Sequence, residues 1–371
     1  MPTKVIKIDS PNQTKDIRAV SQIIEQGGIA AIPTETVYGM AAKATPEGIE
    51  RLDSLKKRQE GKRYTLHIGD KKDLDAYVPV LKAPVRKLID KIWPGPLTLV
   101  VDLDEDSLKK QRKKLGKEIF QCLYSDGSIG IRCPDLNVTR QILSFVKAPV
   151  IAPSANPGSH PPAVTFEQVL GYFNNQLDVV VIGGSDSCRY NKSSTVVKYG
   201  TNGFQILRDG VFNENDILKI AIIRILFVCT GNTCRSPMAE GICKKILADK
   251  IGCTIDSLTR FGYRIESAGV AATDGSPASK EAEIICRQFG VSIAGHRSRL
   301  LTAQMIKEFD FIFAMSRSHL QICRTLSESQ GKVSLLDIHE VSDPFGGDLE
   351  IYKKCAEQIE SALKERIEEF L

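Results

Sequence analysis

The sequence predicts an α/β protein in two parts, and three observations carry that prediction. Short apolar runs of strand length recur along the whole chain. Amphipathic segments of helical period separate them. From Arg224 onward the two kinds of segment alternate strictly, the pattern of a parallel sheet wound by helices on both faces. The stretch before Arg224 has more strands than helices and reads as a mixed α/β arrangement. A division near residues 213–221 places the two parts at 1–220 and 221–371.

In the first part, periodic apolar residues predict a helix over 16–26, stopped by Gly27-Gly28. A strand follows over 29–33 and runs into the turn-rich segment Thr34-Glu-Thr-Val-Tyr-Gly39. Residues 46–58 read as a helix, and 64–68 and 97–103 as strands, the second opened by Pro94-Gly95-Pro96. The basic stretch 107–117 reads as a solvated loop or helix face. Further strands are expected over 129–132, 150–152, 179–182, 194–197 and 205–208, with helices over 139–146 and 165–173. In the second part, strands are expected over 225–228, 264–268, 311–314 and 333–336. Helices are expected over 238–249, 279–289, 303–309, 317–326 and 351–370.

Composition narrows the class. Hydrophobic residues make 42% and charged residues 26% of the 371, the balance of an ordinary globular protein. No apolar run reaches the ~18 residues of a membrane span, and the first residues lack the apolar core of a signal peptide. A cytoplasmic protein with reduced thiols and no membrane partner is expected. The 10 cysteines are scattered without a CxxC pair, and the 5 histidines are not at metal-ligand spacing, so no metal site is expected. A net charge of +5 suits anionic substrates.

The segment Cys229-Thr-Gly-Asn-Thr-Cys-Arg235-Ser236-Pro237 carries the sharpest chemistry. An apolar run precedes it and a helical segment follows, which reads as strand, phosphate-binding loop, helix. Backbone N–H groups of Thr230, Gly231, Asn232, Thr233 and Cys234 would converge on an anion at the helix N-terminus. The same positive field favours a Cys229 thiolate, a nucleophile. Arg235 would clamp two phosphoryl oxygens with its planar fork, and Ser236 would donate a hydrogen bond to the thiolate. Cys234 reads either as filler or as a partner of Cys229 in a reversible disulfide.

With Gly231-Asn232 inside the loop and Ser236-Pro237 after it, residues 222–371 resemble the low-molecular-weight protein phosphatase family. That resemblance implies a doubly wound parallel-sheet domain and a general acid in an Asp-Pro pair, here Asp343-Pro-Phe-Gly-Gly347. Asp343 would protonate the leaving group and later activate water. Ser267-Ala-Gly269 and His296-Arg-Ser298 match family-like scaffold and rim segments. Thr233 and Phe345 look more like the bacterial protein-arginine phosphatases than the tyrosine phosphatases, so phosphoarginine on a protein is favoured over phosphotyrosine. Arsenate reductases share the fold but need two further cysteines close together, and only Cys323 lies in that region.

Six motifs in the first part occur in the order found in the YrdC-like threonylcarbamoyl-adenylate synthases, following the opening Ala31-Ile-Pro-Thr-Glu-Thr-Val-Tyr-Gly39. They are Leu55-Lys-Lys-Arg58, Trp93-Pro-Gly-Pro-Leu-Thr98, Ile131-Arg-Cys-Pro134, Pro153-Ser-Ala-Asn156, Ser193-Ser-Thr-Val196 and Arg208-Asp-Gly210. The resemblance covers about residues 10–212 and implies a twisted mixed α/β domain with a large basic cavity. It implies a reaction that joins L-threonine, bicarbonate and ATP, with Mg²⁺, into threonylcarbamoyl-adenylate and pyrophosphate. By motif, Arg58, Lys62, Ser128, Ser154 and Arg208 would contact ATP, with Lys56 and Asn156 nearby. Thr36, His67, Arg132 and Ser194 would hold threonine and the carbamate. Arg63 and Ala152 depart from the family pattern, which has proline and often a hydroxyl residue there.

Together the two resemblances imply a bifunctional enzyme. Its first half is a nucleotidyltransferase supplying tRNA threonylcarbamoyladenosine modification, with tRNA or RNA and modification proteins as partners. Its second half is a cysteine-dependent phosphatase. Two rival expectations are a first domain that only binds RNA and a second domain that reduces arsenate.

Overall fold

The computed structural model describes residues 2–57, 64–326 and 330–371. It divides into two compact units, Met1–Leu81 with Leu88–Ile220, and Ala221–Leu371 with Lys82–Lys87. The first unit is built on a mixed sheet and the second on a smaller parallel one.

The described strands of the first unit are β1 (Lys4–Ile8), β2 (Ala30–Ile32), β3 (Gly39–Lys43), β4 (Leu66–His67), β5 (Leu97–Asp102), β6 (Tyr124–Ser125), β7 (Ser128–Arg132), β8 (Val150–Ile151), β9 (Val179–Gly183), β10 (Thr195–Gly200) and β11 (Gly203–Arg208). They run in the order β1-β9-β2-β3-β8-β4-β7-β5-β10-β11, with β6 against β7. β4 and β7 are parallel, and their register makes His67 the partner of Arg132. Backbone pairing therefore sets two site side chains beside each other. The helix Thr14–Glu25 buries Ile17, Val20, Ser21 and Ile24, the one-face spacing of a helix, and its three apolar residues join a cluster with Ile8, Ile32, Ile142 and Val181. Gly27, at φ +89°, ends it in a conformation that favours glycine.

Several elements go beyond what the local sequence pattern predicts. β1 is a short edge strand in which only Ile6 and Ile8 point inward. β3 contains two alanines, poor strand formers, and exists because it pairs with both β2 and β8. Stretch 107–117, read as a solvated loop or helix face, is mostly helix, Glu105–Leu115, started by an Asp104 carboxylate that accepts from the Ser107 N–H. The 213–221 division is itself the helix Glu214–Ala221, capped reciprocally by Asn213 and Asp216.

The second unit contains β12 (Ile223–Cys229), β13 (Tyr263–Gly269), β14 (Phe311–Ala314) and β15 (Val333–Leu335), in the order β13-β12-β14-β15 and all parallel. Leu226 and Val228 pack on one face with Ile306, Phe309 and Cys323. On the other, the Phe227 ring stacks on Phe313, which also meets Phe370. Burial of both faces is what a doubly wound parallel sheet requires. The chain order reverses beside β12, so the crevice at its carboxyl end is the expected ligand site. The helix after the loop is Arg235–Ile251, starting earlier than the 238 of the sequence reading, because Pro237 is tolerated in a first turn. No described helix is long and apolar enough to cross a membrane.

Candidate active sites

A cavity of about 360 Å³ opens in the first unit. Of the residues singled out there, Lys56, His67, Arg132, Ser154, Asn156, Ser194 and Arg208 line it, together with Thr34, Tyr64, Thr98 and Ala152. Thr36 does not line it but stands behind it, fully buried, accepting from Arg132 Nη2 at 2.7 Å. Ser128, at the start of β7, is also absent from the lining. Arg58 and Lys62, and the departing Arg63, lie outside the described residues.

Arg132 is the centre of this wall. Its Nη2 donates to Glu35 Oε1 at 2.7 Å and to the Thr36 hydroxyl, while Glu35 Oε2 accepts from the Asp135 N–H at 2.9 Å. Glu35 is 0% exposed, so a charge is buried only because another sits on it. Arg132 Nε is buried with no hydrogen-bond partner, a donor left for a ligand. Glu35 received no role in the sequence reading, although it lies inside the Thr34-Glu-Thr motif.

Arg208 donates to the Ser194 carbonyl through Nη2 at 2.8 Å and to the Ser194 hydroxyl at 3.1 Å. That hydroxyl also meets Thr98 Oγ1 at 2.9 Å. Burial, and then the Arg132 charge, hold the Arg208 guanidinium below its usual range. No described carboxylate pairs with it, so an anion in the cavity would relieve the repulsion. Gly210 lets this turn close, since a Cβ there would lie 2.2 Å from the Thr195 nitrogen.

The 153–156 loop is held from below. Lys56 Nζ donates to the carbonyls of Ser154 and Asn156 at 2.6 and 2.7 Å. Asn156 Oδ1 accepts from the Ser154 hydroxyl, and its Nδ2 donates to the Pro157 and His160 carbonyls. Lys56 and Asn156 thus fix the loop, and Ser154 is presented by it.

Buried His67 has Nδ1 3.1 Å from the Thr65 carbonyl, which can only accept. The proton is on Nδ1, and Nε2 is an acceptor. Burial, then the Arg132 charge, pull the ring down to about 3. Between that value and the ordinary ~6.5 the unfolded chain takes a proton that the folded one refuses. This group's contribution to stability is therefore lost as pH falls through ~6.5 toward its folded value, and is constant above. NMR of the ring should show no titration of His67 between about pH 5 and 8; a midpoint near ~6.5 would contradict the buried neutral assignment.

In the second unit, Cys229 ends β12 and is 3% exposed. Its sulfur accepts from the Asn232 N–H at 3.2 Å and lies 3.0 Å from the Ser236 hydroxyl. Asn232 has φ +55°, which asparagine tolerates and β-branched residues do not. Its Oδ1 accepts from the Arg299 N–H at 2.9 Å, so its Nδ2 is the end that donates to Ser236 and Ser267. With that bond accepted, the Ser236 hydroxyl has two neighbours for its own proton, the Cys229 sulfur at 3.0 Å and the Ala268 carbonyl at 3.4 Å, and donation to sulfur would stabilise a thiolate. The Asn232 carbonyl accepts from His296 Nε2 at 2.7 Å. Gly269 allows the loop to pack, since a Cβ there would stand 2.5 Å from the Thr230 oxygen and 2.9 Å from the Asn232 nitrogen. Ser267 and His296, read as scaffold from sequence, are thus tied directly to the loop.

Arg235, 6% exposed, places Nη2 2.6 Å from Asp343 Oδ2, although 108 positions separate them in the chain. Phe345 beside Asp343 is 81% exposed. Thr233 sits on the loop with its carbonyl accepting from the Ser279 N–H, and its hydroxyl lies 3.6 Å from the Cys234 sulfur. The Cys234 sulfur also meets the Tyr352 hydroxyl at 3.1 Å, and both loop cysteines are free thiols. Cys323 is fully buried in an apolar cluster, and burial pushes its thiol up to about 11, the opposite of a disulfide relay. His319 is a residue the sequence reading gave no role. It is buried, with Nε2 2.8 Å from Thr230 Oγ1.

Comparison with known proteins finds a different family for each unit. A Sua5/YciO/YrdC family model, described as telomere recombination, matches residues 22–210. A model of low molecular weight phosphotyrosine protein phosphatase matches 224–370. The chain belongs to the Sua5/YciO/YrdC family through its first unit and to the low-molecular-weight phosphatase family through its second.

Among relatives, the second unit is 33% identical over 147 residues to a protein-arginine-phosphatase of Geobacillus stearothermophilus, covering 38% of this chain and 90% of that one. It is 34% identical over 146 residues to the low molecular weight protein-tyrosine-phosphatase Etp of Escherichia coli K12, again 38% of this chain and 90% of the relative. A threonylcarbamoyl-AMP synthase of Pyrococcus abyssi is 26% identical over 244 residues, 65% of this chain and 67% of its own length. The crystal structure of P. abyssi Sua5 complexed with L-threonine shares the fold with a TM-score of 0.52 at 18% identity, covering 72% of this chain and 92% of that chain.

Proposed function

We propose that the first domain, residues 1–220, is an L-threonylcarbamoyladenylate synthase serving tRNA modification, and that the second, 221–371, is a cysteine-dependent protein phosphatase. The first reading rests on the cavity in which Arg132 offers a buried unpartnered donor beside Arg208 and neutral His67. Arg132 Nε receives the threonine carboxylate, while Thr36 and Glu35 hold the guanidinium in place. His67 Nε2 and the Ser194 hydroxyl face the amine and its carbamate. Arg208 and Ser154 meet the phosphates of ATP, with Arg58, Lys62 and Ser128 completing that contact. Bringing carbamate and α-phosphorus together in a fixed pose supplies most of the rate, and pyrophosphate leaves. The described lining offers Mg²⁺ no carboxylate, so the ion would enter on the triphosphate oxygens. A cytoplasmic protein goes with this reading.

In the second domain Cys229 attacks phosphorus, and Arg235 with the amides of the 230–235 loop holds the equatorial oxygens. Asp343 protonates the leaving atom and then takes a proton from the water that releases the phosphocysteine. Ser236 stabilises the departing thiolate. With arginine and tyrosine phosphatases alike among the relatives, the preference for phosphoarginine rests on Thr233 at the loop and exposed Phe345 at the rim. A hydroxyl at 233 positions the hydrolytic water, whereas an aliphatic residue there would favour an aryl ester.

Incubation of the chain with ATP, Mg²⁺, bicarbonate and L-threonine should give threonylcarbamoyl-adenylate by mass spectrometry despite Arg63 and Ala152. No threonine-dependent product from a folded chain would leave the first domain as an RNA-binding module, its affinity falling steeply with salt. Cys229→Ser should abolish phosphatase turnover and leave synthesis intact; residual turnover would remove Cys229 as the nucleophile. Thr233→Ile should lower turnover of a phosphoarginine protein by about tenfold or more relative to a phosphotyrosine peptide, and an unchanged ratio would break the link between Thr233 and substrate choice.

A further inference from the structure

We propose that His319 is a positioning residue of the phosphate loop, acting through the hydroxyl of Thr230, the residue next to the nucleophile; the inference rests on the phosphatase reading of this site. Thr230 is held on its backbone side by an N–H from Ala271 to its carbonyl at 3.0 Å. Its side chain is held separately, by His319 Nε2 at 2.8 Å from Oγ1. The imidazole is itself fixed at the other nitrogen, where Nδ1 lies 2.8 Å from the Ser316 hydroxyl. Ser316 also accepts from the His319 N–H at 3.4 Å, at the start of the helix Arg317–Leu326. A chain of three side chains therefore runs from the start of that helix to the loop, separate from the Asn232 contacts.

The ring is 4% exposed and has charged neighbours of both signs: Arg235 disfavours its proton, while Asp343 and Glu340 favour it. Burial and Arg235 prevail and pull it down to about 4, so it works as a neutral imidazole. A neutral ring orients Thr230 without adding a second cation beside Arg235. The loop thereby keeps one guanidinium as its only buried charge donor among these residues, and the peptide following Cys229 is fixed before a phosphoryl group arrives. The benefit belongs to the transition state, where the loop amides must point at oxygens gathering charge.

The test uses the full chain and an aryl phosphate, with His319→Ala, His319→Gln, Thr230→Val and the double variant. His319→Ala should lower kcat by about tenfold with KM changed much less, because the lost alignment matters most in the transition state. His319→Gln, whose amide reaches the same hydroxyl, should recover most of that loss. Thr230→Val should reproduce the His319→Ala effect, and the double variant should be no worse than either single one. Additive losses, an unaltered kcat in His319→Ala, or failure of glutamine to rescue would overturn the proposal. Inorganic phosphate binding by calorimetry on the same four variants reads the same coupling without turnover. A chain that binds phosphate but hydrolyses nothing would sink the phosphatase reading, while the binding cycle would still decide whether His319 positions the loop.

Discussion

The guanidinium of Arg132 is buried, and the carboxylate 2.7 Å from it is buried completely. Neither charge would be tolerated there alone, since an unpaired ion at such depth costs several kcal/mol, roughly 3–5 when one partner is removed. The pair therefore ties the Thr34 to Gly39 turn to β7, and the rest of the cavity is arranged around that tie. His67 is placed by its register with Arg132 and kept neutral by burial and by the Arg132 charge. Arg208 feels the same guanidinium across the cavity.

The second unit uses the same pairing with a different balance. Arg235 is as buried as Arg132, but its partner Asp343 has a half-exposed side chain. A buried carboxylate such as Glu35 cannot leave without stranding an ion, so its part is to hold. On the proposed phosphatase reading, a half-solvated one would lose little when an arriving dianion takes over the arginine, and would then be free to exchange a proton. On that reading, burial of the acid, more than its distance from the arginine, would separate a support from a proton donor.

In both units the polar groups near the ligand space are oriented by others that never reach it. Lys56 and Asn156 shape the 153–156 loop, and Asn232 holds the Ser236 hydroxyl 3.0 Å from the Cys229 sulfur. Such support is what keeps donors aligned within the tolerance that binding a developing charge demands. Glycines at 210 and 269 serve the same end by allowing backbone to approach backbone.

Much of this was legible in the chain. The strand, loop and helix around Cys229 follow from an apolar run, a loop with glycine and asparagine, and the helical segment after it; the periodic helix over 16–26 and the alternation after Arg224 also follow from local pattern. Short or alanine-rich strands such as β1 and β3 were not legible, because pairing with distant strands, not their own propensity, stabilises them. The sequence by itself determined which residue types could do chemistry and the order in which the motifs fall. Only the tertiary structure decided that Glu35 neutralises Arg132, that Asp343 meets Arg235 across 108 positions, that Lys56 supports a loop, and that His319 reaches Thr230. Each of those is a contact between residues far apart in the chain, and its effect depends on burial, which a linear pattern of residue types does not encode.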